Sequence, residues 1–447
     1  MKRIYNRLSN VEIIALGFAI IITCGTILLM LPISNRQHMM TPFLDALFTA
    51  TSACCVTGLV VRDTASYWSV FGQCIILLLI QIGGLGFMTI GIFFATFLKK
   101  KISLRQRGLI EESMNTLHIA GGVRLVKCII KGTLFFEGLG AILLSIPFAK
   151  DFGLVKGIYY GLFHSISAFC NAGFDLLGVI EPYGSLVPYV DQPLINMTIM
   201  ALIVIGGLGF IVWEDLLAKK WHFHQYLLQT KIVLSTTFIL IFAGALLFYL
   251  LENHNILTNL PQSDKIMASF FQSITTRTAG FNTVDTAHLT HATQFLMMFL
   301  MFIGGSPGST AGGIKTTTFL VIVIFIYTTI INKNEYNVFN RRFEMQTIKK
   351  ACAVIFIHLS LIIIGVFLIC AFQPNLGFQD ILFEVFSAIG TVGISTGITR
   401  ELIPISRLII IILMYSGRLG TLTFALTLTQ HRKTSHCINP AEKVAIG

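Results

Sequence analysis

Four short stretches of similar sequence recur along the chain, and each carries a glycine near its end. They read LFTATSACCVTGL, LFHSISAFCNAGF, FFQSITTRTAGF and LFEVFSAIGTVGI. Their glycines are Gly58, Gly173, Gly280 and Gly393, which lie 115, 107 and 113 residues apart. Each glycine has a phenylalanine ten residues before it, and a large apolar residue follows it. The spacing indicates a fourfold internal duplication.

Long apolar segments flank every one of these stretches. Eight of them occur, at 11–33, 70–98, 123–148, 194–218, 232–251, 294–331, 351–373 and 406–429. About 20 apolar residues cross a bilayer as a helix, and soluble proteins carry about 25% charged residues. With 54% hydrophobic and 12% charged residues, the chain is predicted to be an all-α integral membrane protein. The repeats of helix, short segment and helix are predicted at 1–98, 99–218, 219–331 and 332–447, and the last includes a C-terminal tail.

The short stretches are too short to cross the membrane, so each must dip in and return. Irregular backbone at membrane depth is tolerated only where it is buried in protein or lines an aqueous cavity. Four such returns around one axis would offer a ring of carbonyl oxygens, which can replace the water shell of a cation. Glycine supplies the unusual backbone angles, and Thr57 and Thr391 are candidates for further oxygen ligands.

Charge asymmetry predicts the orientation. If the N-terminus is cytoplasmic, the N-terminal, inter-repeat and C-terminal segments hold 21 of the 32 lysines and arginines, and the opposite side holds seven. Cytoplasmic loops carry the excess of Lys and Arg, so both termini are predicted to be cytoplasmic. The net charge of +11 is therefore mainly a topology signal and requires no nucleic-acid partner.

Several residues of the stretches also have purely structural interpretations. Small residues permit close helix packing in membranes, and this reading competes with a pore-lining role for the four glycines. For the downstream motifs IGGLG (82–86 and 205–209), IGGSPG (303–308) and SGRLG (416–420) it is at least as strong. Asp45 and Asp380, thirteen residues before their glycines, are predicted to be helix N-caps. Cysteines within apolar runs, such as Cys24 and Cys74, are predicted to be free thiols.

The motifs CCVTGL, CNAGF, RTAGF and GTVGI, together with FIGGSPGSTAGGIKTTT and GRLG, resemble the Trk/Ktr/HKT superfamily of potassium transporters. The similarity spans nearly the whole chain and is closest to the membrane subunit of the bacterial Ktr type (KtrB-like). It implies four M1–P-loop–M2 repeats arranged as a pseudo-tetrameric pore that conducts potassium, with sodium as an activator in many members. It also implies a homodimer that rests on a cytosolic nucleotide-binding (RCK/KTN-type) regulatory ring.

The resemblance assigns the selectivity filter to four short segments. These are Cys55, Val56, Thr57 and Gly58; Cys170, Asn171, Ala172 and Gly173; Arg277, Thr278, Ala279 and Gly280; and Gly390, Thr391, Val392 and Gly393. Potassium is expected at the four glycines. Sodium-selective relatives carry a serine at one of these glycines, so the four glycines favour potassium. The sequence departs from the family at Cys55, where threonine is commoner, and at Cys170, where asparagine often occurs.

The second helix of the third repeat is predicted to break. Five glycines and one proline lie between Gly304 and Gly313, which no continuous helix tolerates. In the family this segment is an intramembrane gating loop, toward which an arginine of the fourth repeat projects. The resemblance therefore assigns the gate to Gly304, Gly305, Ser306, Pro307, Gly308, Ser309, Thr310, Ala311, Gly312, Gly313, Lys315 and Arg418. A structural alternative for Arg418 is an ion pair with an intramembrane acid such as Glu137.

Two further cations of the membrane region need an explanation. Arg277 would repel potassium if it faced the ring, so its side chain is predicted to turn behind the loop and to pair with Glu384. Lys315 follows a glycine-rich run that resembles a nucleotide-binding loop, but Ile314 interrupts the motif and no strand precedes it. Lys315 is predicted instead to snorkel or to anchor the loop.

Three functional classes remain for comparison. A channel-like potassium subunit and a sodium- or proton-coupled carrier of the same fold both fit the sequence. A membrane enzyme would need a polar constellation, for which His164 alone is insufficient, so the chain is predicted not to be an enzyme. The cytoplasmic segments near 99–123 and 332–350 are too short for a nucleotide-binding domain. Any such regulation must come from a partner, and the basic inner surface could also meet anionic lipid.

Overall fold

A computed structural model of the chain describes residues 9–86, 89, 91, 122–220, 222–332 and 335–428. The first repeat contains α1 (Asn10–Met30), α2 (Phe43–Cys54) and α3 (Val70–Leu85). The second contains α4 (Gly122–Phe152), α5 (Leu154–Phe169), α6 (Pro193–Gly207) and α7 (Phe210–Lys219). The basic stretch after 98, the first eight residues and the tail from 429 lie outside the described residues.

The third and fourth repeats follow the same plan. The third contains α8 (Leu228–Glu252), α9 (Gln262–Thr275), α10 (His291–Phe302) and α11 (Thr316–Ile330). The fourth contains α12 (Met345–Phe372), α13 (Phe378–Gly390), α14 (Pro404–Leu419) and α15 (Thr421–Leu428). A two-stranded antiparallel hairpin, β1 (Asn337–Val338) and β2 (Arg341–Arg342), lies between them. Short 3-10 turns lie at Pro32–Ser34, Leu177–Val179, Val187–Tyr189, Phe223–Gln225, Thr286–His288 and Ile398–Arg400.

Apolar helices occupy all eight predicted membrane segments. Among the described residues, α1, α4, α8 and α12 are each long and apolar enough to cross a membrane alone. The bent pairs α6–α7 and α14–α15 bring this number to six. The other two segments contain the shorter apolar helices α3, α10 and α11. The chain is therefore a multi-pass membrane protein, and its described residues are mostly helical.

The helix starts follow from local sequence. Ser9 caps α1 in a capping box with Glu12, and the Ser69 side chain accepts from the amide of Gly72 at the start of α3. Pro193 and Pro404 occupy the first positions of α6 and α14, where a missing amide hydrogen costs nothing.

The short helices α2, α5, α9 and α13, which we call the pore helices, form the centre of the protein. Phe48, Phe163 and Phe383, three of the phenylalanines that stand ten residues before a repeat glycine, are fully buried there. In the third repeat the neighbouring Phe271 is the fully buried one. The repeated phenylalanine is thus a packing residue of the core in three of the four repeats.

The N-cap assignments of Asp45 and Asp380 are wrong. Pro42 and Gly377 are the N-caps, and the two aspartates lie in the first turns of α2 and α13. The Asp45 carboxylate accepts from Arg62 Nε at 2.9 Å and from Arg407 Nη1 at 2.7 Å. An acid in the first turn still favours the positive end of the helix dipole.

Among the described residues, glycines lie at or near the ends and bends of the second helices. The break predicted for the third repeat is present, since α10 ends at Phe302 and α11 begins at Thr316. The segments 194–218 and 406–429, predicted as single helices, instead bend by 94° and 106°. The bends lie at Gly209 (φ 93°) and Gly420 (φ 87°), and Gly86 (φ 79°) is the C-cap of α3. The last glycine of IGGLG and SGRLG is the signal for these bends, because left-handed backbone strongly favours glycine.

Candidate functional site

Each pore helix ends within its filter segment or at most two residues before it, and the four segments share one backbone conformation. The second residue of each is left-handed: Val56 (φ 55°), Asn171 (φ 58°), Thr278 (φ 73°) and Thr391 (φ 51°). The glycines also have positive φ, at 93° for Gly58, 67° for Gly173, 90° for Gly280 and 91° for Gly393. Left-handed backbone costs a non-glycine residue about 1–2 kcal/mol, so four such residues at equivalent positions indicate a functional geometry.

The four glycines form a closed ring. A Cβ added to Gly58 would lie 2.6 Å from the carbonyl oxygen of Ala172, and one added to Gly173 would lie 2.5 Å from that of Ala279. A Cβ added to Gly280 would lie 2.6 Å from the Val392 carbonyl oxygen. One added to Gly393 would collide with the Thr57 carbonyl oxygen, which returns to the first repeat. The four turns therefore converge on one axis, as the sequence predicted.

Serine side chains hold two of these turns in place. Gly58 N donates to Ser52 Oγ, and Gly393 N donates to Ser387 Oγ, both at 3.1 Å. The third repeat, which has isoleucine at this position, differs: Ala279 N donates to the Thr275 carbonyl at 2.9 Å. In the second repeat, Ser167 Oγ has no hydrogen-bond partner among the described residues, so the repeated serine fixes the glycine only in the first and fourth repeats.

Two hydroxyl groups in the ring have no hydrogen-bond partner within the part of the chain that the structure describes. Thr57 Oγ1 and Thr391 Oγ1 are both buried in this way. Buried polar atoms are normally paired, so these oxygens suit a ligand such as a dehydrated cation. The pore-helix C-termini, whose dipoles are negative, lie directly beside them.

Arg277 turns behind the ring as predicted, but its predicted partner is wrong. Its Nη2 donates to Thr237 Oγ1 on α8 at 3.3 Å. Glu384 instead accepts from Ser395 Oγ at 2.7 Å and from Thr399 Oγ1 at 2.5 Å. Hydroxyl donors within its own repeat satisfy Glu384, which explains why no charge partner from the third repeat is needed.

Glycines of the second helices pack against the ends of the pore helices. An added Cβ would collide with the carbonyl oxygen of Cys54 at Gly83, of Phe169 at Gly206 and of Ile389 at Gly417. These carbonyls belong to the residues just before the first, second and fourth filter segments. The packing interpretation of these motif glycines is therefore correct, and it explains how the second helices approach the filter closely.

The glycine-rich loop 303–315 lies against the inner end of the filter. Thr310 Oγ1 donates to the Phe169 carbonyl at 3.2 Å, and a Cβ on Gly312 would collide with Thr391 Oγ1. The loop is also tied to the bend of the second repeat, since Phe210 N donates to the Gly308 carbonyl at 2.8 Å. It therefore contacts both the second and the fourth filter segments.

Arg418 joins this loop to the first repeat. Its guanidinium donates to the carbonyls of Thr310 and Gly83, and to that of Gly84 at 3.0 Å. It makes no ion pair with Glu137 in the described structure. Backbone carbonyls therefore act as acceptors for this partly buried cation, and the alternative of an ion pair with Glu137 is wrong.

Lys315 anchors the loop from within. Its Nζ donates to the Ala311 carbonyl at 2.7 Å and to the Gly312 carbonyl at 3.4 Å. Gly312 and Ala311 precede Lys315 by three and four residues, so the lysine side chain folds back onto the backbone of its own loop. It binds loop carbonyls, as the anchoring prediction required.

Cavities lie on either side of the ring and the loop. The outer cavity, of about 330 Å³, is lined by all four ring glycines together with Asp63, Asp175, Glu181 and Asp285. The inner cavity, of about 620 Å³, is lined by the loop and by Lys315, Lys350 and Arg418. Carboxylates thus gather in the cavity beside the four ring glycines and cations in the cavity beside the loop, so a cation is favoured electrostatically in the first cavity and disfavoured in the second.

Neighbouring groups shift the pKa values of two charged residues in the outer loops, Asp175 and Arg62. Partial burial and the neighbouring Asp63 carboxylate raise the pKa of Asp175 to about 7. Asp175 Oδ1 accepts from Leu177 N at 2.9 Å, which partly offsets that rise. The hydrogen bond to Asp45 raises the pKa of Arg62. Asp175 is a functional candidate that the sequence analysis did not single out, although it directly follows the GF of CNAGF.

Comparison with known proteins gives independent evidence on the family and the fold of the chain. A family model for TrkH, described as a cation transport protein, matches residues 9–435. The potassium/sodium uptake protein NtpJ of Enterococcus hirae is 41% identical over 452 residues, with 100% of this chain and 99% of the relative covered. The Ktr system potassium uptake protein B of Bacillus subtilis (strain 168) is 40% identical, with 96% and 95% covered. The crystal structure of the potassium transporter TrkH from Vibrio parahaemolyticus has a TM-score of 0.74 at 18% identity, with 94% of this chain and 85% of that one covered.

Proposed function

The chain belongs to the TrkH family of cation transport proteins. We propose that it takes up potassium across the plasma membrane and that it is the ion-translocating subunit of a Ktr-type system. The closed ring of Gly58, Gly173, Gly280 and Gly393 with the neighbouring carbonyls is the observation that carries the proposal. Relatives named as potassium uptake proteins support it over nearly the full length.

The filter works by substituting protein oxygens for water. A cation that leaves water loses its hydration shell, and a ring of carbonyls replaces those oxygens. The four left-handed residues and the glycines set the ring, while the unpartnered hydroxyls of Thr57 and Thr391 offer further ligands at its inner end. The carboxylates of the outer cavity raise the local concentration of cations.

The loop and Arg418 are proposed to form the gate. The loop contacts the inner ends of two filter segments, and the Arg418 cation lies beneath the ring. Passage of potassium then requires the loop and the Arg418 guanidinium bound to it to move away from the ring.

Regulation is proposed to come from a cytosolic nucleotide-binding ring that contacts α11 and the following loop. Two copies of the chain are proposed to form a homodimer on this ring. The basic inter-repeat segments support cytoplasmic termini.

The direct test is uptake in cells that lack their own potassium systems. Expression of the chain is expected to restore growth at low potassium and to give saturable uptake of rubidium, a potassium analogue. The matched control is the same vector with a premature stop codon. Equal growth of both strains, with the protein present in the membrane, would refute the proposed function.

A second candidate is a sodium- or proton-coupled carrier of the same fold. The observation that favours it is a relative named as a potassium/sodium uptake protein. Reconstituted vesicles separate the two, because a passive pore gives a reversal potential set by the potassium gradient alone. A shift of that potential with the sodium or proton gradient would establish coupling.

Asp175 predicts a pH dependence of uptake. With a pKa of about 7, its carboxyl is mostly ionised at pH 8 and mostly protonated at pH 6. Acidification therefore removes a negative charge from the outer cavity and is expected to raise the KM for rubidium about two- to threefold, as surface attraction weakens. Asp175→Asn should show the higher KM at both pH values. Asp285→Asn, which removes an exposed carboxylate of the same cavity, is the control that should keep the pH step.

A further inference from the structure

A buried carboxyl group lies behind the second filter segment. Glu137 on α4 is 4% exposed, and its Oε2 accepts from Gln81 Nε2 of α3 at 3.2 Å. The thiol of Cys170, the first residue of that filter segment, lies 3.9 Å from Glu137 Oε1 and 3.6 Å from Gln81 Oε1. These three side chains, which we call the Glu137 cluster, join the first and second repeats at the filter.

The carboxyl group of Glu137 lacks a cationic partner. In the described parts of the chain, no Lys, Arg or His lies within ion-pair distance of it. A buried acid at membrane depth costs free energy, and such residues usually have a functional role. The hydrogen bonds of the cluster compensate part of that cost and make the arrangement rigid.

The repeat architecture itself does not require an acid at this position. The Glu137 backbone carbonyl accepts from Ser165 Oγ of pore helix α5 at 2.6 Å. In the third repeat, the carbonyl of Ile241 accepts in the same way from Ser273 Oγ of pore helix α9 at 2.8 Å. Glu137 therefore stands where the third repeat has Ile241. The helix packs with an apolar residue there, so the carboxyl group serves another purpose.

The cluster fixes the corner where the filter meets the loop. A Cβ added to Gly84 would lie 2.6 Å from Cys170 Sγ, so the thiol is closely enclosed by α3. The neighbouring Phe169 carbonyl accepts from Thr310 of the glycine-rich loop. A displacement of Cys170 would therefore move the backbone at the inner end of the second filter segment.

We propose that Glu137 is a positioning residue that acts through Gln81 and Cys170 to hold the inner end of the second filter segment, and thereby sets the preference for potassium over sodium. The proposal rests on the proposed function. A small change in the spacing of carbonyl ligands alters ion preference, whereas a purely structural residue would alter the amount of folded protein.

The test measures rubidium uptake and its inhibition by sodium. Glu137→Ile, which installs the residue of the third repeat, is expected to raise the KM for rubidium about tenfold and to strengthen sodium inhibition, with Vmax per folded protein unchanged. Glu137→Gln keeps hydrogen-bonding capacity and should stay within about twofold of the wild type. Gly138→Ala, one residue along α4 where an added Cβ meets nothing within 4 Å, is the control.

Double substitution shows whether Glu137 acts through the thiol. Cys170→Ala should resemble Glu137→Ile, and the double variant should be no worse than either, because coupled residues are not additive. Additive losses, an unchanged KM in Glu137→Ile, or a Gln variant as impaired as the Ile variant would each overturn the proposal. Absence of uptake by the wild-type chain would instead refute the proposed function.

Discussion

Replacing Gly393 by serine is expected to abolish growth at low potassium and to lower rubidium uptake at least about tenfold, the effect of about 1.4 kcal/mol on a barrier. The added Cβ would collide with the Thr57 carbonyl oxygen of the neighbouring segment. The residue also has φ 91°, which costs any non-glycine residue about 1–2 kcal/mol. Both effects displace carbonyls of the ring, so the preference for potassium over sodium should also fall.

The measurement is competition of sodium with rubidium uptake, normalised to protein in the membrane. Gly91→Ser is the matched control, because an added Cβ at that exposed glycine meets no described atom within 4 Å. A Gly393 variant with unchanged sodium competition would remove this glycine from the filter. A variant that fails to reach the membrane is replaced by Gly280→Ser, whose Cβ lies 2.6 Å from the Val392 carbonyl.

The convergence of the four turns was predictable because all four repeats contain a segment that is too short to cross the bilayer and must be buried in protein. A stretch of about ten residues cannot cross a bilayer, and its return must be buried in protein. The glycines of the four motifs therefore indicated both the fold and the place where the turns meet. The ring of Gly58, Gly173, Gly280 and Gly393 agrees with this reasoning.

Individual side-chain partners were much harder to predict. The proposed pairing of Arg277 with Glu384 assumed that opposite charges in adjacent repeats attract, but Thr237 and the hydroxyls of Ser395 and Thr399 serve these groups instead. Hydroxyls are common in this sequence, and only three-dimensional proximity selects among them. Local hydrogen bonds can satisfy a buried charge as well as a distant ion does.

The bends at Gly209 and Gly420 were missed because the hydropathy of these segments is continuous. Apolar composition predicts a span but does not report a change of direction within it. The shared motif held the information: its earlier glycines, such as Gly206 and Gly417, pack on pore-helix carbonyls, and its last glycine bends the helix. Packing and bending are thus two functions of one short motif.

Replacing Arg418 by glutamine is expected to increase the maximal rate of rubidium uptake about tenfold, with little change in KM. The guanidinium bridges the Thr310 carbonyl of the loop and the carbonyls of Gly83 and Gly84. The positive guanidinium repels a cation that passes it, and because water in the cavity screens this repulsion, an effect of about 1.4 kcal/mol, or about tenfold in rate, is expected. Removal of the guanidinium therefore lowers the barrier for a cation beneath the filter and also frees the loop from α3.

Arg418→Lys distinguishes the charge from the bridge. Lysine keeps the positive charge but lacks the planar fork that reaches several carbonyls at once. If charge dominates, uptake by the Lys variant should stay near the wild-type rate; if the bridge dominates, it should approach that of the Gln variant. The outer filter is unchanged in both, so sodium competition should remain as in the wild type. A Gln variant that is present in the membrane but transports more slowly would show that Arg418 supports the open pathway, and the loop would then not be a barrier held by this residue.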